Sequence, residues 1–575
     1  HFLTFWWEDL RALSAPSKLS DAKDTLIIST PPTPNGDLHL GHLSGPYTGA
    51  DIYKRFLKLQ TTKAFHMTGR DDNQSYVARK AFEQKRTPEN LALDYATKIQ
   101  NTFEKNAIVI DHFSEPHQSP YHVALVKKSV LELFDKSFIY EAEVDSLFCA
   151  VTGKYLYEAH VNGLCPHCNA GSDGCACEQC GQPNDVINLI NPRSKYGDGT
   201  VEIRKAKKLY FKMSAFADAL RKYHRTVIMP AHLSALCEKM LSQSLPDICI
   251  SHISDWGIPV PCTGYENQTI YVWFEMALGY LAAAQETAEK SGLCKTNTDG
   301  WKYFYSNDNA RVVHFFGFDN GYFHALLFPA IYLALDWDIR LPEAFVVNEL
   351  LNLNGLKFST SRNHLIWGKD LLKLTSSDYV RYYLSYIRPE TSKNNFQLQE
   401  FVTVINEQLA TTWQQWLASL FKRCEILFNN KVPAAGAWTV EHKKFFELVH
   451  QLLNETKNAY EHNNFSPQRV CRLANELVRE TVRFSASQSH YENLDDAYNT
   501  LRTAIALELL AAKTLALLIQ PIMPTFAEKL WEALEGDLTM QWLDTPHFVR
   551  DSVDIKQPCS DFFEHVQKSV YELNK

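Results

Sequence analysis

The chain has 575 residues, too many for one hydrophobic core, and at roughly 150 residues per domain it divides into about four units. Its 45% hydrophobic, 22% charged and 12% aromatic residues exclude wholesale disorder and collagen-like repeats. With 58 Lys plus Arg against 66 Asp plus Glu the net charge is -8, which excludes a generally basic nucleic-acid coat and leaves any RNA contact to a local patch.

Residues 1–24 form an aromatic arm (HFLTFWWEDLRAL at its start) that lacks the basic, apolar, cleavable order of a signal peptide. Residues 25–135 open an α/β region. Thr25 to Ser29 (TLIIS) predicts a buried strand, Pro31, Pro32, Pro34 and Gly36 break it, and a helix is expected from about His39 through Leu57. Residues 136–222 predict an inserted module of short strands around NGLCPHCNAGSDGCACEQCGQ. The α/β pattern resumes over 223–335 with TIYVWFEMALGYLAAA and VVHFFGFDNGYFHALLFPAIYLAL; 336–395 form a linker that contains a further strand, FVVNELL. From 396 to 575 a period near 3.6 predicts a helical bundle. No stretch of about 18 or more uncharged apolar residues occurs, so the expectation is a cytoplasmic protein without a membrane partner.

Of 13 cysteines, five crowd between Cys165 and Cys180. That is metal arithmetic, not a disulfide framework. Cys165 with Cys168, and Cys177 with Cys180, form two CxxC knuckles able to present four thiolates to zinc in a closed structural site. Cys175 is a surplus thiol able to compete as a ligand. Between Pro32 and His42 the run PTPNGDLHLGH places two histidines three apart at a helix start, where Gly41 allows close nucleotide approach and the helix terminus favours phosphate. Imidazoles there stabilise charge on a transferring phosphoryl group.

HLGH after PxPNG resembles the HIGH signature of class I aminoacyl-tRNA synthetases, and Asn354 to Arg362 (NGLKFSTSR) resembles their NGxKMSKSR loop. Between them GRDDNQ from Gly69, DWGIPVP from Asp255, YVWFEMALGY from Tyr271 and HFFGFDNGYFH from His314 resemble the methionyl type. The chain is also similar to the synthetase-like part of cupin-associated hydrazine synthetases. The resemblance implies an α/β class I fold: a Rossmann-like catalytic domain, a zinc-knuckle insertion and a C-terminal α-helical bundle of the anticodon-binding kind. It implies ATP, Mg2+ and Zn2+ as cofactors and aminoacyl-adenylate formation as the activity.

By the same resemblance His39, His42 and Lys357 are catalytic, while Asn35, Gly36, Gly41, Gly317, Asp319, Phe358, Ser359 and Ser361 bind ATP. Asp71 is expected to take the amino group of the amino acid, with Thr33, Trp273, Ala277, Tyr280, Asn320 and His324 completing its pocket. A carboxylate suits an ammonium, and flat rings suit an apolar side chain.

Several positions depart from the family pattern. Thr33 replaces a pocket tyrosine, Asn320 an apolar residue, Ala277 a proline and Phe318 a lysine. Thr360 stands where the loop has its second lysine, and Asn73 and Gln74 replace a histidine and a glycine. In the bundle, Gln415 and Ser419 occupy the places of an asparagine and an arginine that read the anticodon. These departures favour a pocket for a polar substrate and transfer of the aminoacyl group to a small hydroxyl, hydroxylamine or amine in a biosynthetic pathway, with a separate cupin-type partner. The alternatives are a divergent synthetase charging tRNA and a catalytically silent paralogue that binds an amino acid or RNA.

Overall fold

The computed structural model describes residues 22–574 except 297–298, 360–362, 495 and 552. The arm expected over 1–24 lies almost wholly outside them, as do Thr360, Ser361 and Arg362.

Five parallel strands form the main sheet: β1 (Asp24–Ser29), β2 (Ala64–Gly69), β3 (His112–Ser114), β6 (Ala310–Gly317) and β7 (Ala344–Asn348), in the order β7-β6-β1-β2-β3. β1 is buried along almost its whole length, as its unbroken TLII run requires of a strand covered on both faces. Its two neighbours are β2 and β6. Strand order therefore reverses beside β1, and a crevice opens at the carboxyl ends there. Ser29 pairs with Phe315, so the loop that follows β1 and the GFDN segment that follows β6 emerge side by side. β7 lies in this sheet, which corrects the boundary at residue 335: the α/β unit continues into the segment read as linker.

The helix expected over His39–Leu57 is broken. Gly45 departs from helical geometry and is followed by Pro46, and regular helix resumes as α1 (Thr48–Leu59). Arg388 donates to the carbonyls of Ser44 and Gly45 that the break leaves without partners, at 3.0 and 2.6 Å.

The insertion is built on an antiparallel pair, β4 (Ile139–Cys149) and β5 (Glu202–Phe211). Its sheet also takes in Ile248–Cys249, beyond the boundary expected at 222. The C-terminal region packs Gln414–Phe428, Val440–Tyr460, Pro467–Gln488, Tyr498–Ile519 and Pro524–Glu535 as a bundle. After Glu535 the chain is mostly irregular and straps the bundle, burying Trp542, Val549, Ile555 and Phe563.

One buried cation joins catalytic half and bundle. Arg381 is fully buried and donates to Asp51 Oδ2 at 2.7 Å, to the Pro521 and Ile522 carbonyls at 2.7 and 2.8 Å, and to the Asn106 carbonyl at 3.1 Å. No described helix is long and apolar enough to cross a membrane.

Candidate active site

A cavity of about 820 Å³ opens at the crevice beside β1. It brings together most of the residues singled out in sequence: Thr33, Asn35, Gly36, His39, Gly41 and His42 after β1; Asp71; Trp273; Gly317, Asp319 and Asn320 after β6; Lys357 and Phe358. Ala277 and His324 are fully buried and lie behind its lining, and Tyr280 lines a small neighbouring void instead.

The HLGH segment is pinned from both sides. Leu40 N–H donates to the Ile366 carbonyl at 3.1 Å, and Gly368 N–H to the Leu38 carbonyl at 2.9 Å. Asp37 fixes the approach, accepting from Leu38 N–H at 2.7 Å and the Thr102 hydroxyl at 2.8 Å. The His39 and His42 rings stack at 3.7 Å, and His39 stacks on Phe358 at 4.7 Å. A Cβ at position 41 would come within 2.9 Å of the His39 ring, so this packing requires glycine.

Each ring accepts a backbone N–H of the other residue at Nδ1: His39 N–H reaches His42 Nδ1 at 3.2 Å and His42 N–H reaches His39 Nδ1 at 3.4 Å. Surrounding protein pushes His42 down to about 4, although its ring is open to the cavity, and burial holds His39 well below the usual histidine range. Both imidazoles are therefore neutral near pH 7, and with Nδ1 accepting, Nε2–H is the donor each has to offer a phosphate.

Lys357 stands on a tight hairpin. Leu351–Leu353 pairs with Leu356–Lys357 across Asn354 and Gly355, both in the left-handed region at φ 49° and 81°, as an Asn-Gly turn favours. Lys357 forms an ion pair with Glu178 of the insertion, and Lys393 donates to Gln179 at 2.8 Å. Burial and Glu178 push Asp319 up to about 6, with Lys357 opposing.

At the other end Asp71 is buried, and burial together with Glu275, Asp72 and Glu158 holds its carboxyl well above the usual range. Gln74 Nε2 donates to Asp71 Oδ2 at 2.6 Å and opposes that shift. Behind Asp71, Asn73 donates to both oxygens of Glu275, which also pairs with His122 at 2.8 Å. Trp273 stacks on Phe323 at 3.8 Å. His324 Nδ1 bonds the Asn320 carbonyl at 3.1 Å and so carries the proton, leaving Nε2 to accept from the Tyr280 hydroxyl at 3.0 Å.

The four knuckle cysteines converge with all sulfurs within 4.8 Å of one another, Cys165 to Cys180 at 3.9 Å and Cys168 to Cys177 at 3.6 Å. A tetrahedron with metal–sulfur bonds of about 2.3 Å has edges of about 3.8 Å, so these donors fit zinc. Cys175 stands apart from the cluster and lines the cavity.

Sequence reasoning gave no role to Asp37 or Glu178, and it read Gln74 only as a changed residue. Asp37 and Gln74 act through contacts that only the folded loop creates, and Glu178 meets Lys357 across 179 positions of sequence.

Residues 25–421 match the family model "tRNA synthetases class I (M)", and residues 442–573 match "Anticodon-binding domain of tRNA ligase". The chain belongs to the class I (M) tRNA synthetases. It is 29% identical over 535 residues to the methionine–tRNA ligase of Pyrococcus horikoshii, covering 90% of this chain and 72% of that protein. To the methionine–tRNA ligase of Thermomicrobium roseum it is 30% identical over 505 residues, covering 88% and 85%. Its fold matches the methionyl-tRNA synthetase of Mycobacterium tuberculosis bound by methionyl-adenylate with a TM-score of 0.78 at 19% identity, over 94% of this chain and all of that one. As a class I synthetase the protein is an ATP-dependent ligase that forms an aminoacyl-adenylate.

Proposed function

We propose that the protein activates an amino acid with ATP and transfers it to the 3′ end of a tRNA, with methionine, the amino acid in its relatives' names, as the first candidate. The observation that carries this reading is the pairing of a synthetase catalytic region with an anticodon-binding domain in one chain. It supports a tRNA acceptor over the small-molecule acceptor that the sequence departures favour.

In the proposed step ATP enters as its magnesium complex, and the amino-acid carboxylate attacks the α-phosphorus while pyrophosphate leaves. His39 and His42 donate Nε2–H to the phosphates, and Lys357 exchanges Glu178 for phosphate oxygens. Asp71 holds the substrate ammonium, and Asp319 contacts the nucleotide. The catalysis is positioning and charge stabilisation. The four cysteines hold zinc, which supplies rigidity to the insertion and no chemistry.

A second reading, transfer to a small hydroxyl, hydroxylamine or amine, draws support from the bundle surface. Gln415 and Ser419 are exposed one turn apart on Gln414–Phe428, and the next turn's Arg423 is engaged by Glu508 at 2.6 Å. These side chains offer neither an aromatic face nor an uncommitted guanidinium to an unstacked base.

The test is amino-acid-dependent ATP–pyrophosphate exchange over the proteinogenic amino acids, followed by tRNA charging. Exchange with charging supports the tRNA reading. Exchange without charging of any tRNA supports the small-molecule reading, and no exchange with any amino acid overturns both.

A further inference from the structure

The proposed chemistry gives Asp319 the nucleotide and leaves its neighbour Glu349 unused. β6 and β7 pair in parallel with Gly317 opposite Asn348 at their carboxyl ends, so the chain leaves both strands at the same level, about 4.8 Å apart. Asp319 and Glu349 follow directly, and both line the cavity together with Lys357 and Phe358.

The backbone holds Glu349 in place. Its N–H donates to the Pro389 carbonyl at 2.7 Å, and its carbonyl accepts from Asn348 Nδ2 at 3.1 Å. The side chain keeps 14% exposure, Asp319 is half-buried, and neither carboxyl contains an oxygen that is both sealed from solvent and unpartnered. His232 Nε2 approaches Glu349 Oε1 only to 3.7 Å, too far for a hydrogen bond, and burial holds His232 below the usual histidine range. Asp319 forms no ion pair among the described residues, and burial, Glu178 and Glu349 together push it up to about 6.

Two neighbouring carboxyls with acceptor oxygens open to a cavity call for a ligand that donates. The parts of ATP differ in this respect. The triphosphate only accepts and is repelled by both groups, and adenine carries a single amino group. Ribose carries two adjacent hydroxyls, each a donor, and no charge. A carboxyl keeps an acceptor oxygen even when protonated, so the match holds in either state of each group. Doubly wound sheets of the dinucleotide-binding kind also hold ribose through an acidic side chain.

We infer that Glu349 is a second ribose-binding residue: Asp319 and Glu349 each accept from one hydroxyl of the ATP cis-diol, which makes the site selective for ribonucleotides. This rests on the proposed placement of the nucleotide at Asp319 and deepens it.

The experiment measures exchange kinetics with ATP, 2′-deoxy-ATP and 3′-deoxy-ATP for the unaltered protein, Glu349→Met and Asp319→Ala, with thermal melting as the check on folding. In the unaltered protein, removing either hydroxyl should raise the nucleotide KM roughly tenfold or more, as loss of a hydrogen bond to a charged group does. Glu349→Met should raise KM for ATP by a similar factor yet leave KM for one deoxynucleotide within about twofold, because the hydroxyl that nucleotide lacks has no partner left to lose. Asp319→Ala should do the same for the other deoxynucleotide. Glu349→Gln, which keeps an acceptor oxygen, should retain part of the discrimination and replaces Glu349→Met if that variant melts early. An unaltered protein indifferent to both hydroxyls, an ATP KM unmoved in Glu349→Met, or a rise shared equally by all three nucleotides overturns the inference. A response to Asp319→Ala alone then keeps the nucleotide where it is proposed, whereas no response to either substitution means that the placement fails and the inference falls with it. If the unaltered protein binds ATP without exchange, calorimetric Kd values take the place of KM with the same expected pattern, and failure to bind ATP at all overturns both.

Discussion

The two ends of the cavity meet the same physical problem with opposite results. At the proposed phosphate end the surrounding protein strips charge from His39 and His42, yet a neutral imidazole still donates from Nε2, so two donors stand in place there while Lys357 is still paired with Glu178. At the proposed amine end burial works against ionisation of Asp71, and a protonated carboxyl holds an ammonium poorly. Gln74 and the substrate's own positive charge must together keep it ionised. The difference teaches that neutralising an imidazole leaves its donor usable, whereas neutralising a carboxyl removes the charge its partner needs.

Substitutions should separate the two ends. His42→Ala removes one of two fixed donors and should lower the exchange kcat by about a hundredfold or more with the amino-acid KM little changed; a change confined to KM would break the contrast. Asp71→Asn should instead act on amino-acid binding, lowering kcat/KM by about thirtyfold or more, because it leaves an ammonium opposite a neutral amide. Steady-state exchange with each substrate varied in turn checks both.

Acidity sharpens the contrast further. Burial pushes Glu158, near Asp71, up to about 8 from its ordinary 4.5. The folded state then binds this proton more tightly than the unfolded chain, so its contribution to stability is present below pH 4.5 and is lost as pH rises through about 8. Glu158→Gln should therefore melt increasingly above the parent protein between pH 4.5 and 8, and a gap independent of pH would contradict the assignment. The smallest effect is expected from Glu178→Gln. Its pairing with Lys357 is roughly half exposed on both sides, and such pairs are weak, so KM for ATP should fall only about two- to fivefold as Lys357 is released. A rise in KM would mean that Glu178 assists ATP binding instead of competing with it.

What the sequence made legible was what is contiguous. HLGH, the GRDDNQ turn and the paired knuckles each carry their geometry within a few residues, and all converge as their spacing implies. The strand Ala344–Asn348 was legible as a strand, but its place in the catalytic sheet was not, because pairing with β6 is decided across the fold. Ala277 and His324 illustrate another limit: a residue inside a motif can stand behind the pocket wall, and a motif does not say which side faces the ligand. The tie between Glu178 and Lys357 had no local signal at all. The helical period after residue 396 likewise predicted the bundle but not the irregular strap that closes it.

Arg381 bears on how this protein can be shortened. Its guanidinium is satisfied by Asp51 on one side and by the carbonyls of Pro521 and Ile522 on the other. A chain trimmed to its catalytic half would expose or orphan that group and the apolar surface around it. Modularity by descent is then not modularity by physics: the helical region is fastened to the sheet that carries the chemistry, and a minimal catalytic fragment would need a redesigned junction at 381 before it could stand by itself.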